Sequence, residues 1–202
     1  MPATRFSNFR LHKEPSWRSL VSHSDRSVPK QWRDWLLDTG SLTQRLIDAS
    51  ENTLTVQILN QRIDIPRFTE QRALKLPPRR LTMIREVVLL ANSTPWVYAR
   101  SIIPLTTLTG RLRKLRHLDN QPLGALLFRD PTMTREAVEV ACHTKINAKL
   151  PTTLGELQKS LWGRRSVFRL DAKPLLVSEV FLPGFKPYNQ TLNFGFGSAP
   201  CG

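Results

Sequence analysis

Cysteine is nearly absent from this chain of 202 residues, which has only Cys142 and Cys201. Two thiols cannot build the cross-linked framework of a small secreted domain, and neither stands in a C-x-x-C pair of the kind that holds zinc. Long apolar runs are missing as well. Val87 to Ala91 and Ser101 to Leu105 are strand-sized, far short of the roughly 20 residues of a membrane helix, so no span is expected. Arg5, Arg10 and Lys13 precede any apolar run, which removes the apolar segment of a secretory signal. The Arg and Ser content there faintly resembles a transit peptide, but a cytoplasmic location is the expectation. Familiar catalytic signatures are equally scarce. His12, His23, His117 and His143 form no H-E-x-x-H or i, i+4 pair, and His143 beside Cys142 does not make a metal site. There is no G-x-S-x-G elbow and no phosphate-cradling G-x-x-x-x-G-K-[ST] loop, and the F-G-F-G near the C-terminus follows no strand-to-helix junction. Acid is also in short supply: 16 Asp and Glu against 30 Lys and Arg leave a formal charge of +14. Such a charge gathers anions of any kind, whether nucleic acid, lipid headgroups or a small dianion.

What is present describes a folded α+β domain. Hydrophobic residues make up 40% and charged residues 23%, and a chain of this length can close one core. Residues 1–28 read as a basic, loosely ordered leader, 29–183 as the domain and 184–202 as a tail. Trp32, Trp35 and Leu36 recur at helical spacing over 31–37, and Gly40 supplies a stop. Ser41 and Gln44 have the spacing of a capping box ahead of a helix carrying Leu42, Leu46 and Ile47. Residues 53–60 alternate as a half-buried strand, with Leu54, Val56 and Ile58 on one side. Met83 to Leu90 and Trp96 to Ile103 form one hairpin around 92–95, and Trp162 to Leu170 with Leu175 to Leu182 form another around 171–174. Between them, Leu108, Leu112 and Leu115 mark a helix over 105–118. Its Arg111, Arg113, Lys114 and Arg116 form a solvated face. Pro122 then opens a short apolar helix. Residues 135–141 fit helix or strand, and 142–160 are polar and weakly patterned.

Charged residues inside apolar strands are the informative oddities. Alternation puts Arg85 on the face of Met83, Val87 and Leu89, and Glu179 on that of Leu175, Val177 and Phe181, while Arg100 follows Trp96 and Tyr98 on the neighbouring strand. Each can be an internal ion pair, an edge-blunting charge or a solvent-facing residue. Taken together, two arginines and one carboxylate on neighbouring strands also fit a closed anion pocket.

Several segments in order resemble the chorismate pyruvate-lyase family over about 29–183. They are S-L-T-Q-R at 41–45, M-I-R-E-V-V-L-L at 83–90, P-W-V-Y-A-R at 95–100, P-L-T-T-L-T-G at 104–110, P-L-G-A-L-L-F at 122–128, L-W-G-R-R-S at 161–166 and K-P-L-L-V-S-E-V-F-L-P at 173–183. The resemblance implies an antiparallel sheet with helical flaps over an enclosed site, and a monomer needing no cofactor and no metal. It implies conversion of chorismate to 4-hydroxybenzoate and pyruvate, the entry to ubiquinone synthesis. It also implies that Arg85 binds the ring carboxylate, that Glu179 contacts the oxygen that becomes the phenol, and that Leu42 and Leu123 sit at the flap positions. Arg100 corresponds to a further arginine near the site. The chain departs from the family in having Leu42 where methionine can occur, a longer 142–160 stretch, and a tail past Pro183. Two other readings remain: a sensing domain of the same architecture that binds a small ligand without transforming it, and a basic nucleic-acid-binding protein. The second would need exposed aromatics among its basic residues.

Overall fold

Two tight turns organise the sheet. Asn92–Ser93 and Asp171–Ala172 both adopt positive φ at their two central residues, the backbone that matches the right-handed twist of paired strands. The first joins Thr82–Ala91 (β3) to Thr94–Pro104 (β4), and the second joins Leu161–Leu170 (β7) to Lys173–Phe181 (β8). The computed structural model describes residues 14–19, 28–144, 150–154 and 160–187. Cys201, the F-G-F-G tail and most of the basic leader lie outside them.

The remaining strands are Arg18–Ser19 (β1), Thr55–Asp64 (β2), Thr134–Arg135 (β5) and Glu139–His143 (β6). All pairings are antiparallel, in the order β1-β6-β7-β8-β4-β3-β2, with β5 beside β7. The alternation of Val138 and Val140 therefore prevails over the helix propensity of 135–141. β1 lies in the expected leader: Glu14 accepts hydrogen bonds from the backbone and hydroxyl of Thr69, and Trp17 meets His143 edge-on. At the other end, Phe185 is buried among Trp32, Trp35, Trp96 and Phe181, so packing continues past Pro183.

Strand register divides the sheet into two faces. The front carries Met83, Arg85, Val87 and Leu89 of β3, with Ala99 and Ser101 of β4, Val177 and Glu179 of β8, and Arg164 and Ser166 of β7. Helices Lys30–Leu36 (α1) and Leu42–Ala49 (α2) close one end of this face around Leu42, Leu46, Val87 and Phe181. The 3-10 helix Gly110–His117 and helix Leu123–Arg129 (α4) close the other end around Leu112, Leu115, Leu123 and Leu175. The segment expected as an ordinary helix is a 3-10 helix because Leu112, Leu115 and Leu118 recur every third residue, the period of that tighter winding. Ser41 caps α2 through the Gln44 backbone, but the Gln44 side chain turns to Asp48, so only half of the capping box forms.

On the back, Phe68–Ala73 (α3) covers Ile84, Ile102, Val167 and Leu176 through Ala73 and Leu74. A bulge between Ile58 and Asn60 inserts Leu59 and reverses the alternation of β2, which places Gln61 opposite Arg85. Gln61 then donates to the Arg116 carbonyl and braces the 3-10 helix. Among the described residues, no helix is long and apolar enough to cross a membrane.

His143 is buried on the back face, with Nε2 lacking a hydrogen-bond partner among the described residues. Burial, and secondarily the positive charge of Arg67, holds its pKa down at about 4. The unfolded chain binds this proton more readily, so the contribution is complete above the ordinary histidine pKa of about 6.5 and is lost as pH falls toward 4. It is worth up to about 3 kcal/mol. In urea unfolding, His143→Leu is expected to flatten that part of the stability profile; an unchanged slope between neutral pH and pH about 4.5 would contradict the assignment.

Candidate functional site

A polar belt crosses the front face between its two apolar ends. Arg85, Ser101, Arg164 and Ser166 are all buried there, and Glu179 is half-buried beside them. Arg85 stands on β3 and Glu179 on β8, two strands or roughly 10 Å apart across the sheet. The intervening β4 presents only Ala99 and Ser101 between them. Small side chains at these two positions leave the long ones room to reach the same space.

Arg85 is 1% exposed. One of its terminal nitrogens donates to the carbonyls of Asp119 (2.7 Å) and Gln121 (3.0 Å), while its Nε makes no hydrogen bond among the described residues. Burial lowers its pKa, partly offset by Asp119, yet an arginine keeps its charge. The result is a desolvated cation with a spare donor, which suits a carboxylate. Glu179 accepts a hydrogen bond from Arg164 Nε at 2.8 Å.

Arg164 and Arg135 are the site residues that sequence reasoning missed. Arg164 also donates to the carbonyls of Trp35 (3.0 Å) and Asp38 (2.9 Å). Arg135 donates to Ser166 Oγ at 3.0 Å and to the Thr39 carbonyl at 2.7 Å, and it stacks on Phe168. Burial, followed by repulsion from Arg164, brings its pKa down to about 10. The available signal was parity, since Arg164, Ser166 and Phe168 alternate onto one face. These two arginines fasten the turn that leads into α2, as Arg85 fastens the turn that leads into α4.

The two helices so anchored carry Leu42 and Leu123 as their first residues, both buried. The backbone N–H of a first helical residue has no partner within its own helix. The helices meet where Gly124 faces Thr43: a Cβ on Gly124 would lie 2.5 Å from Thr43 Oγ1. Outside this seam, an open groove of about 680 Å³ is lined by Ile47, Lys114, Leu126 and Arg129.

Arg100 does not join Arg85 and Glu179. The tight turn pairs Leu90 with Pro95, a register that would bring Arg85 opposite Arg100, but a shift between Leu89 and Leu90 places Ser101 there instead. A slip of one residue reverses every side chain beyond it, so Arg100 points to the back. There it pairs with Glu70 (2.7 Å) and Glu86 (2.9 Å), and Tyr98 donates to Glu86. Burial opposes the charge of Arg100, but these carboxylates outweigh it and raise the pKa. The cavity beside it, lined by Trp17, Tyr98 and His143 among others, is about 20 Å³ and admits one water rather than a ring acid.

Residues 16–191 match the family described as chorismate lyase, a span that begins before and ends after the expected domain limits. A probable chorismate pyruvate-lyase of Aromatoleum aromaticum is 40% identical over 161 residues, covering 77% of this chain and 86% of that protein. A chorismate pyruvate-lyase of Erwinia tasmaniensis is 36% identical over 157 residues, covering 78% and 81%. Among solved structures, PhnF from Mycobacterium smegmatis superposes with a TM-score of 0.51 at 12% identity, over 74% of this chain and 67% of that one, a likeness of fold alone. With the motifs in order, the front-face belt in place and the match spanning most of its length, the chain belongs to the chorismate lyase family.

Proposed function

We propose that this protein eliminates pyruvate from chorismate to give 4-hydroxybenzoate, the precursor that enters ubiquinone synthesis. The observation that carries the reading is Arg85, a fully buried guanidinium with an unused donor, on the same face as Glu179 and between two flap helices. Arg85 binds the ring carboxylate. Glu179 receives the hydroxyl that becomes the phenol, and the first residues of the flaps, Leu42 and Leu123, complete the enclosure. The bonds described for Arg85 and Arg135 on this face go to neutral oxygens rather than to a carboxylate, which leaves positive charge available to a dianion.

The chemistry asks little of the side chains. The ether C–O bond to the ring breaks, and the hydrogen on the hydroxyl-bearing carbon moves to the methylene of the departing enolpyruvyl group. The ring becomes aromatic and the leaving group becomes pyruvate, so atoms balance with no added reagent. The residues supply a conformation in which hydrogen and acceptor meet; orientation of this kind is worth up to about 7 to 11 kcal/mol. Each charge-assisted hydrogen bond adds roughly 1.5 to 3 kcal/mol. Positioning is therefore the role assigned to Glu179.

The direct test adds chorismate to purified protein in the presence of a chelator and follows the absorbance of 4-hydroxybenzoate. Ligand binding without turnover would identify a sensing domain instead. Arg85→Ala is expected to lower kcat/KM by about 10²- to 10³-fold with the circular dichroism spectrum preserved. Arg164→Met acts through the orientation of Glu179. It is expected to lower kcat by about tenfold or more while KM changes less, and a loss confined to KM would contradict that role. Gly124→Ala forces the flap seam apart and should lower kcat/KM by about tenfold. Adding Thr43→Ala, which removes the clashing oxygen, should recover part of that loss; no recovery would exclude the seam as the cause.

A further inference from the structure

Among the described residues, the large hydrophobic side chains that remain exposed are gathered at one corner of the molecule. Ile63 is 59% exposed, Ile65 44%, Phe68 66% and Leu81 46%. Ile63 pairs with Met83, and the Thr82 hydroxyl donates to the Asp64 carbonyl. The end of β2, the start of α3 and the approach to β3 therefore lie side by side. Exposed apolar residues scattered singly are ordinary, but a cluster rimmed by polar groups marks a contact surface.

The rim is predominantly basic. From residue 62 to 81 the chain carries six basic residues, Arg62, Arg67, Arg72, Lys75, Arg79 and Arg80, against Asp64 and Glu70. Both acids are already engaged: Glu70 is buried against Arg100, and Asp64 holds Arg62 and the Ile65 backbone. Lys75, Arg79 and Arg80 are exposed, and their side chains make no ion pair among the described residues. Lys75 and Arg79 are held at positive φ in a turn stiffened by Pro77 and Pro78, a backbone that a glycine would adopt at lower cost. The solvated face of the 3-10 helix lies at the same end, because Gln61 of β2 bonds to the Arg116 carbonyl. Arg113 and Arg116 extend the basic field there.

We propose that this corner docks on an anionic phospholipid bilayer, its four apolar side chains entering the headgroup layer and its arginines and lysine meeting lipid phosphates. The interleaving of the two residue types decides the partner. A protein interface concentrates its apolar residues at a centre depleted of charge, lysine above all. Here basic residues flank the apolar ones at Arg62, Arg72, Arg79 and Arg80, as on surfaces that lie in a membrane interface, where long basic side chains lay their stems on apolar surface and extend their charged heads outward. Single-stranded nucleic acid would call for stacking aromatics, and of the four apolar side chains only Phe68 is one. None of the four apolar side chains belongs to the belt of Arg85 and Glu179.

Co-sedimentation of the full chain with vesicles tests the proposal, comparing phosphatidylcholine alone with phosphatidylcholine mixed with phosphatidylglycerol. The wild type is expected to bind the mixed vesicles and to lose binding at high salt. Ile65→Ser with Phe68→Ser, and separately Arg79→Glu with Arg80→Glu, should each weaken binding by about tenfold. Thermal unfolding should be unaltered in both, since these side chains are exposed. Leu81→Ser, expected to act in the same direction, serves as the check if the first pair fails to fold. Absence of binding by the wild type would overturn the proposal. So would wild-type binding by both paired variants, which would assign the interaction to another basic surface. Loss in the charge variant alone, with the apolar variant unaffected, would reduce it to surface adsorption and refute insertion.

Discussion

A guanidinium removed from water has to find oxygens to replace it, and the architecture of this protein follows from which oxygens it finds. On the back of the sheet, Arg100 and Arg165 meet carboxylates, Arg100 bonding to Glu70 and Glu86 and Arg165 to Glu139, so charge is matched and α3 is locked down. On the front, Arg85 and Arg135 meet backbone carbonyls and a hydroxyl, which satisfy hydrogen bonds without cancelling charge. The same residue type therefore builds a structural network on one side and an anion-attracting belt on the other.

The carbonyls chosen on the front are those of the turns that introduce α2 and α4. A strand residue can hold such a turn rigidly, because the sheet fixes its Cα and burial restricts its side chain. The flap helices are short, with apolar residues on their inner sides, and isolated helices of this length are marginal in water. Their order comes from tertiary contacts, and the arginine anchors supply part of it. The polar belt of the sheet and the helices that cover it are thus joined through shared side chains.

Much of this was legible in the sequence where local chemistry and fold agree. The β-branched runs with Asn92 and Asp171 at their turns gave both hairpins, and the leucines gave the covering elements, although Leu112, Leu115 and Leu118 encode a 3-10 winding rather than the longer helix. Arg85 and Glu179 stood out because each interrupts an apolar face. Arg100 looked like their companion because alternation along one strand cannot reveal a register shift in the pair, and that shift alone sends it to the back. Arg164 and Arg165 are adjacent arginines that point to opposite faces, which composition does not distinguish. The strand pairing of β1 and the position of α3 depend on contacts distant in sequence, so no local pattern announced them.

The extra residue at Leu59 has a wider effect than its size suggests. It splits β2 into two halves of opposite phase, each obeying its own alternation. Were Leu59 drawn into the ladder so that the register of the first half ran on, Gln61 would face Ile84 instead of Arg85, turning Gln61 and Ile63 toward the back and Arg62 away from Glu86. One backbone insertion in this edge strand thus acts as a frame marker, and the strand's far end has meaning only when read from it.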